Sequence, residues 1–251
     1  MTEPAAVKRT LSVKEKIIVA LDVDNPIAAR NVLDELRDEV GAFKIGLQLF
    51  TAAGSAFVRE VAESGVKIFL DLKFHDIPNT VANVAVEATR LGVWMFNVHA
   101  LGGAEMMRRT AEAVNEVCER EKLSRPKIIA VTVLTSSNAE TLTETGIETP
   151  IENEVSRLAK LTADSGLDGV VASPHEIGLI RTTVSVKDFM IVTPGIRPFN
   201  ATNDDQKRVM TPAEAIAAGS NYLVIGRPIV QAKDRVGAVN EILANLGSDI
   251  Q

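Results

Sequence analysis

Eight short apolar runs rich in Val and Ile recur along the whole chain, each separated from the next by a longer segment with helical spacing, and no other feature restricts the fold as much. The runs are IIVALDV (17–23), AFKIG (42–46), VKIFLDLKF (66–74), WMFNVHA (94–100), KIIAVTVL (127–134), GVVAS (169–173), FMIVTPGI (189–196) and YLVIG (222–226). Nearly continuous apolarity, rather than strict alternation, is the pattern of strands covered on both faces, as in a parallel sheet. Between the runs, segments such as NPIAARNVLDELRDEV, TVANVAVEATRLG, GGAEMMRRTAEAVNEVCEREK and TPAEAIAAGS place apolar residues at i, i+3 and i+4 and often end at Gly, which marks crossover helices. Strand then helix, eight times over 251 residues of which 46% are apolar, predicts a single α/β domain, a (β/α)8 TIM barrel, rather than an open doubly wound sheet. Residues 1–15 read as a polar N-terminal extension to that barrel.

Charge and composition exclude several function classes. Against 33 acidic residues stand 27 basic ones, a net charge of −6 without a basic block, so no nucleic-acid partner is expected and any bound anion has to be met locally. The N-terminal segment lacks the apolar region of a secretory signal, and no stretch approaches the roughly 18 apolar residues of a membrane span, so no membrane partner and a cytoplasmic location are expected. Cys118, the single cysteine, lies in a helical pattern and reads as a packed thiol. The His and Cys residues show no ligand spacing, and no metal or other cofactor is predicted.

In this architecture active sites sit at the C-terminal ends of the strands, and the charged residues can be mapped onto that rule. Asp22 ends the first strand, Lys44 lies on the second, Asp71 and Lys73 end the third, and Asp76 follows at once in the loop. Side chains two apart on a strand share a face, so Asp71 and Lys73 should point the same way, about 7 Å apart along the backbone. Ionised side chains are costly to desolvate unless paired. An alternating array of Lys44, Asp71, Lys73 and Asp76 converging on one cavity satisfies that condition, since each member favours the charged form of its neighbours.

A second cluster follows strands 7 and 8, where barrels of this kind often hold a phosphate. In YLVIGRPIV, Gly226 lets the backbone approach an anion, Arg227 supplies a forked donor, and Pro228 suits the first turn of a helix. After TPGIRP the segment RPFNATNDDQKRVM is long for a strand-to-helix connection, which marks it as a lid or binding loop with Gln206 as a phosphate donor. Of the histidines, His75 is expected to make a hydrogen bond behind the array or at an interface, His99 to line the cavity, and His175 to be structural.

Taken together, ALDVDNP, FKIGLQLF, DLKFHDIPNTV, VHALGG, VTVLTS, TPGIRP and IGRPIV, spread over nearly the whole chain, resemble the orotidine 5′-phosphate decarboxylase family. D-x-K-x-x-D alone is shared with a wider group of phosphosugar decarboxylases and lyases; the DIPNT, VLTS, GIRP and IGRPI pieces are specific. The resemblance implies a cofactor-free decarboxylation of orotidine 5′-phosphate in pyrimidine synthesis. It implies that Asp22 and Lys44 bind ribose hydroxyls, that Asp71 faces the substrate carboxylate, and that Lys73 donates the proton. It further implies a homodimer in which Asp76 and Thr80 reach into the neighbouring subunit's site. Thr135 and Ser136 would contact the pyrimidine, and Arg197, Gln206, Gly226 and Arg227 the phosphate.

Overall fold

The computed structural model describes residues 11–197 and 210–248, with the side chains of the last two left aside. Eight parallel strands follow one another around a closed barrel: β1 (Ile17–Ala20), β2 (Ala42–Gly46), β3 (Ile68–Phe74), β4 (Met95–His99), β5 (Lys127–Val131), β6 (Gly169–Val171), β7 (Met190–Pro194) and β8 (Tyr222–Ile225). Closure comes from β8 pairing with β1, Leu223 opposite Ile17 and Ile225 opposite Val19. The expected fold is therefore the observed one.

Ten α-helices join the strands among the described residues: α1 (Pro26–Leu36), α2 (Leu47–Glu63), α3 (Pro78–Arg90), α4 (Gly103–Glu121), α5 (Ala139–Glu144), α6 (Ile151–Asp164), α7 (Ile177–Thr183), α8 (Pro212–Ala217), α9 (Arg227–Val230) and α10 (Arg235–Ser248). Their starts are written locally. Asn25 accepts from the Ala28 N–H with Pro26 at the first helical position of α1, and Thr211 and Glu214 form a reciprocal cap on α8. The outward strand residues and the inner faces of the helices merge into one large apolar layer, from Ile17 and Phe43 to Ile225 and Leu246.

The inward strand residues form a separate, smaller cluster that fills the barrel: Ile18 and Ala20 of β1, Ala42 of β2, Phe69 of β3, Met95 of β4, Ile129 of β5, Met190 and Val192 of β7, and Tyr222 and Val224 of β8. Trp94 closes its lower end, edge-on to Tyr222 with ring centroids 5.2 Å apart. Leu11 packs on the same cluster, Val13 packs on the outer layer, and the backbone of Glu15 lies against Gly41. Residues 11–15 thus pack against the barrel rather than forming part of the polar extension expected over 1–15, because the half-buried Leu11 and Val13 rest on its apolar clusters; residues 1–10 lie outside the described residues.

Several strands are shorter than their apolar runs. β1 pairs only to Ala20: the Leu21 N–H still donates to the Lys44 carbonyl at 2.9 Å, after which the chain turns toward the Asn25 cap. β5 stops at Val131, before a tight turn in which the Ser137 N–H reaches the Leu134 carbonyl.

Candidate active site

The mouth of the barrel is a continuation of its interior by two residues per strand. Lys44 follows Ala42 on β2, Asp71 follows Phe69 on β3 and Asn97 follows Met95 on β4, each two positions beyond a core residue and hence on the same inward face. Apolar side chains give way here to charged and polar ones.

Asp71 is the hub. Its carboxylate receives Lys73 Nζ at 2.7 Å and Asn97 Nδ2 at 2.7 Å on one oxygen, and Lys44 Nζ at 3.3 Å on the other. Lys44 also reaches Asp22 Oδ1 at 3.3 Å. The Asp71 and Lys44 side chains are 14% and 12% exposed and Lys73 is 32% exposed, so the array opens to solvent through the lysine. Burial alone would raise the Asp71 carboxyl; the two ammonium groups, with hydrogen bonds from Lys73 and Asn97, outweigh it and hold the group below the ordinary carboxylate range. A carboxylate kept ionised between two cations can orient both without taking a proton from either.

Lys73 reaches Asp71 by a route that strand alternation does not describe. The β3–β4 register shifts between Leu70 and Phe74, and Lys73 adopts φ 52, the left-handed region that costs a non-glycine residue about 1–2 kcal/mol. Its N–H donates to Asn97 Oδ1 at 2.8 Å. Asn97, fully buried, is not among the expected site residues, although it lies two positions beyond Met95 on the inward face of the fourth strand, as Lys44 lies two beyond Ala42 on the second.

The array holds three of its four expected members. Asp76 lines no part of this cavity: it is exposed, and its carboxylate accepts from the next residue's N–H, Ile77, at 2.7 Å. The chain pairs with β4 once more at Phe74, opposite Val98, and enters α3 at Pro78, and neither Asp76 nor Thr80 is among the residues that line the cavity. Asp22 is half-exposed, two residues past the end of β1, at the rim. His99 does not line the cavity either. Its ring stacks on His75 at 5.4 Å, and burial together with His75 and Lys73 lowers it to about 4.

A cavity of about 280 Å³ opens beside the array and runs across the mouth to β7 and β8. Its floor is apolar, with Phe69, Val131 and Val224, while Thr135 stands on its wall and Ser136, in the same exposed turn, does not. At the far end are Gly195, Arg197, Gly226 and Arg227. Gly195 has φ 79, a conformation that suits glycine, and sends the chain from β7 toward Arg197. A Cβ on Gly226 would stand 3.2 Å from Asp22 Oδ2 and 3.3 Å from the Ala20 Cβ, so the missing side chain also lets β8 lie close against β1. The loop expected to act as a lid has its ends clipped together: Ile196 bridges Met210, and the Arg197 N–H donates to the Met210 carbonyl at 3.3 Å. Gln206 lies outside the described residues. Among the described residues no three His, Cys, Asp or Glu side chains gather in a way that could hold a metal ion, and no helix is long and apolar enough to cross a membrane.

Comparison with known proteins agrees with this geometry. Residues 15–242 match the model of the orotidine 5′-phosphate decarboxylase / HUMPS family. The orotidine 5′-phosphate decarboxylase of Syntrophotalea carbinolica is 53% identical over 238 residues, covering 95% of this chain and 97% of that protein. The corresponding protein of Geobacter sulfurreducens is 56% identical over 230 residues, 92% of this chain and 95% of its own length. A crystal structure of the Lactobacillus acidophilus decarboxylase, 38% identical, superposes with a TM-score of 0.80 over 92% of this chain and 98% of that one.

Proposed function

Because this chain belongs to the orotidine 5′-phosphate decarboxylase / HUMPS family, we propose that it converts orotidine 5′-phosphate to UMP and CO2, the last step of de novo pyrimidine nucleotide synthesis, in the cytoplasm. The observation that carries the mechanism is the Lys73 ammonium, anchored 2.7 Å from Asp71 at the edge of a cavity with an apolar floor and two arginines at its far end.

Breaking the C6–carboxylate bond leaves its electron pair on C6 in an sp² orbital that is not conjugated with the ring carbonyls, so the substrate offers no electron sink. Electrostatics has to lower the barrier. A fixed ammonium beside C6 stabilises the charge as it develops and then transfers its proton to the carbon, after which water reprotonates the amine. Lys73 takes that role. Asp71 holds the ammonium in place, and Lys44 keeps Asp71 ionised and, with Asp22, binds the ribose hydroxyls. No cofactor enters. Thr135 and Ser136 contact the pyrimidine, and Arg197, Gln206, Gly226 and Arg227 take the phosphate, whose remote binding energy supports the reacting end of the site.

The active species is a homodimer in which Asp76 and Thr80 complete the partner's site. What supports this is the exposed Asp76 carboxylate, which is not part of its own cavity's lining, beside Ile77 at 67% exposure. Mixing Lys73→Ala protein with Asp76→Ala protein under subunit exchange should restore activity, since one heterodimer site then holds both wild-type residues. Failure to complement, with exchange shown independently, places Asp76 in its own subunit's site.

The reaction itself is tested by the fall in orotate absorbance when the purified protein meets orotidine 5′-phosphate, with and without EDTA. A fall that is insensitive to EDTA is expected. No fall removes the proposed activity, and loss on chelation would point instead to a metal-dependent decarboxylase on the same barrel.

A further inference from the structure

Lys73 departs from a backbone that a lysine does not favour, and one side chain is bonded both to that backbone and to the carboxylate on which the ammonium rests. We propose that Asn97 is the positioning residue for Lys73: its Oδ1 accepts from the Lys73 N–H at 2.8 Å while its Nδ2 donates to Asp71 Oδ1 at 2.7 Å. The inference rests on the role given to Lys73 above. The amide has a single workable orientation, because a backbone N–H can only donate and an ionised carboxylate can only accept. Asn97 is fully buried, and its own backbone is fixed in register opposite Ile129 of β5, so the planar group is held from behind. It thereby sets the origin and the anchor of the lysine at once. Few side chains could replace it: leucine matches the shape but offers neither bond, glutamine is one methylene too long for this position, and a carboxylic acid supplies both a donor and an acceptor only while protonated.

The charged groups around Asn97 are few. Asp71 and Lys73 face it from β3, Lys44 stands beyond Asp71 on β2, and β5 presents the apolar Ile129 and Val131. On its own strand His99 is turned to the His75 stack. A substitution at position 97 therefore reads mainly through Asp71 and Lys73.

The experiment measures kcat on orotidine 5′-phosphate and the dissociation constant of UMP for Asn97→Leu, Asn97→Asp and Lys73→Ala, with kcat followed against pH relative to wild type. In Asn97→Leu, kcat should fall about tenfold to hundredfold, the scale of hydrogen bonds to charged groups, while UMP binding stays near the wild-type value. In Asn97→Asp, relative kcat should recover as the pH is lowered, because one proton shared by the new carboxyl and Asp71 restores the donor; Asn97→Leu should show no such recovery. Retained kcat in Asn97→Leu with an inactive Lys73→Ala would overturn the positioning role and leave the lysine assignment standing. An active Lys73→Ala would instead remove the lysine assignment itself. Equal losses of kcat and UMP affinity in Asn97→Leu, or an Asn97→Asp variant with no recovery in acid, would make Asn97 a packing residue and overturn the proposal. Should the leucine variant fail to fold, the acid recovery of Asn97→Asp decides the question alone.

Discussion

The two sides of the barrel mouth are built on different principles. On the β2–β4 side every polar group named is a strand residue or the rim residue beside it, and the charges answer one another: Asp71 takes Lys44, Lys73 and Asn97 within 3.3 Å. On the β7–β8 side the groups come from strand ends and connections, at Gly195, Arg197, Gly226 and Arg227, and the backbone contributes as much as the side chains. The difference teaches where precision is needed. In the proposed function, the group that must sit beside one carbon throughout the reaction is placed on a stiff sheet and fixed by a network, whereas the groups that grip the phosphate are carried on connections.

The largest effect that could break this division is expected at Lys73. In the proposed mechanism Lys73→Ala deletes both the cation beside the developing carbanion and the proton source, which separately contribute on the order of 10²–10⁴-fold in enzymes of many kinds, so kcat/KM should drop more than a thousandfold. The fold should persist, since Asp71 keeps Lys44 and Asn97. Far-ultraviolet circular dichroism and steady-state kinetics check both halves. Retention of a tenth of wild-type activity, a loss of only about 1.4 kcal/mol, would move the chemistry off β3.

The next effect is expected on the opposite side and should be selective. Arg227 stands at the start of α9, across the cavity from Lys73, and touches the phosphate alone in the proposed complex. Losing a buried hydrogen-bonded charge pair typically costs about 2–5 kcal/mol, or roughly 30-fold to several thousandfold. Arg227→Ala should show that loss in kcat/KM on orotidine 5′-phosphate and almost none on the phosphate-free nucleoside orotidine. Equal losses on the two substrates would merge the two sides into one functional unit and end the comparison. The neutral donor Gln206, changed to Ala, should show the same selectivity with a smaller loss, nearer 0.5–1.5 kcal/mol.

The same contrast explains what could be read in the sequence. Active sites of this architecture sit at the C-terminal ends of the strands, so charged residues at those ends make Lys44 and Asp71 legible in the sequence, whereas near-continuous apolar runs do not tell inward from outward residues. For Lys73 alternation predicts the face of Asp71, whereas the structure delivers it there through a register shift and a left-handed backbone that no local pattern announces. Asn97 carries no such signal, because an uncharged residue in an apolar run does not differ from its neighbours until Asp71 and the Lys73 N–H are known to face it. Proximity in sequence predicts Asp76 in its own array, whereas in the structure it is exposed, accepts from the Ile77 N–H and is not among the cavity-lining residues. On the β7–β8 side, identities such as Arg227 were evident from the order of residues, while the close approach of Gly226 to Asp22 depends on barrel closure between β8 and β1.

The smallest expected effect is a pH dependence carried by the network side alone. His99 lies behind Lys73 and stacks on His75, and desolvation, then His75 and Lys73, lower it from 6.5 to about 4. The unfolded chain takes up a proton on this imidazole near pH 6.5, whereas the folded chain does so only near 4. Between those values the unfolded state binds more protons, so stability contributed by the neutral ring is complete above pH 6.5 and is lost progressively as the pH falls toward 4. The partly exposed position screens the effect to about 1–2 kcal/mol. Urea unfolding at fixed protein concentration should show it as a slope in that window which His99→Gln removes. Neighbouring carboxylates that also lose stability in acid cancel when the variant is compared with wild type at each pH. An unchanged slope in His99→Gln would show that the cationic array does not extend its influence to the second layer of β4, and that the network side is no more tightly coupled than the side across the mouth.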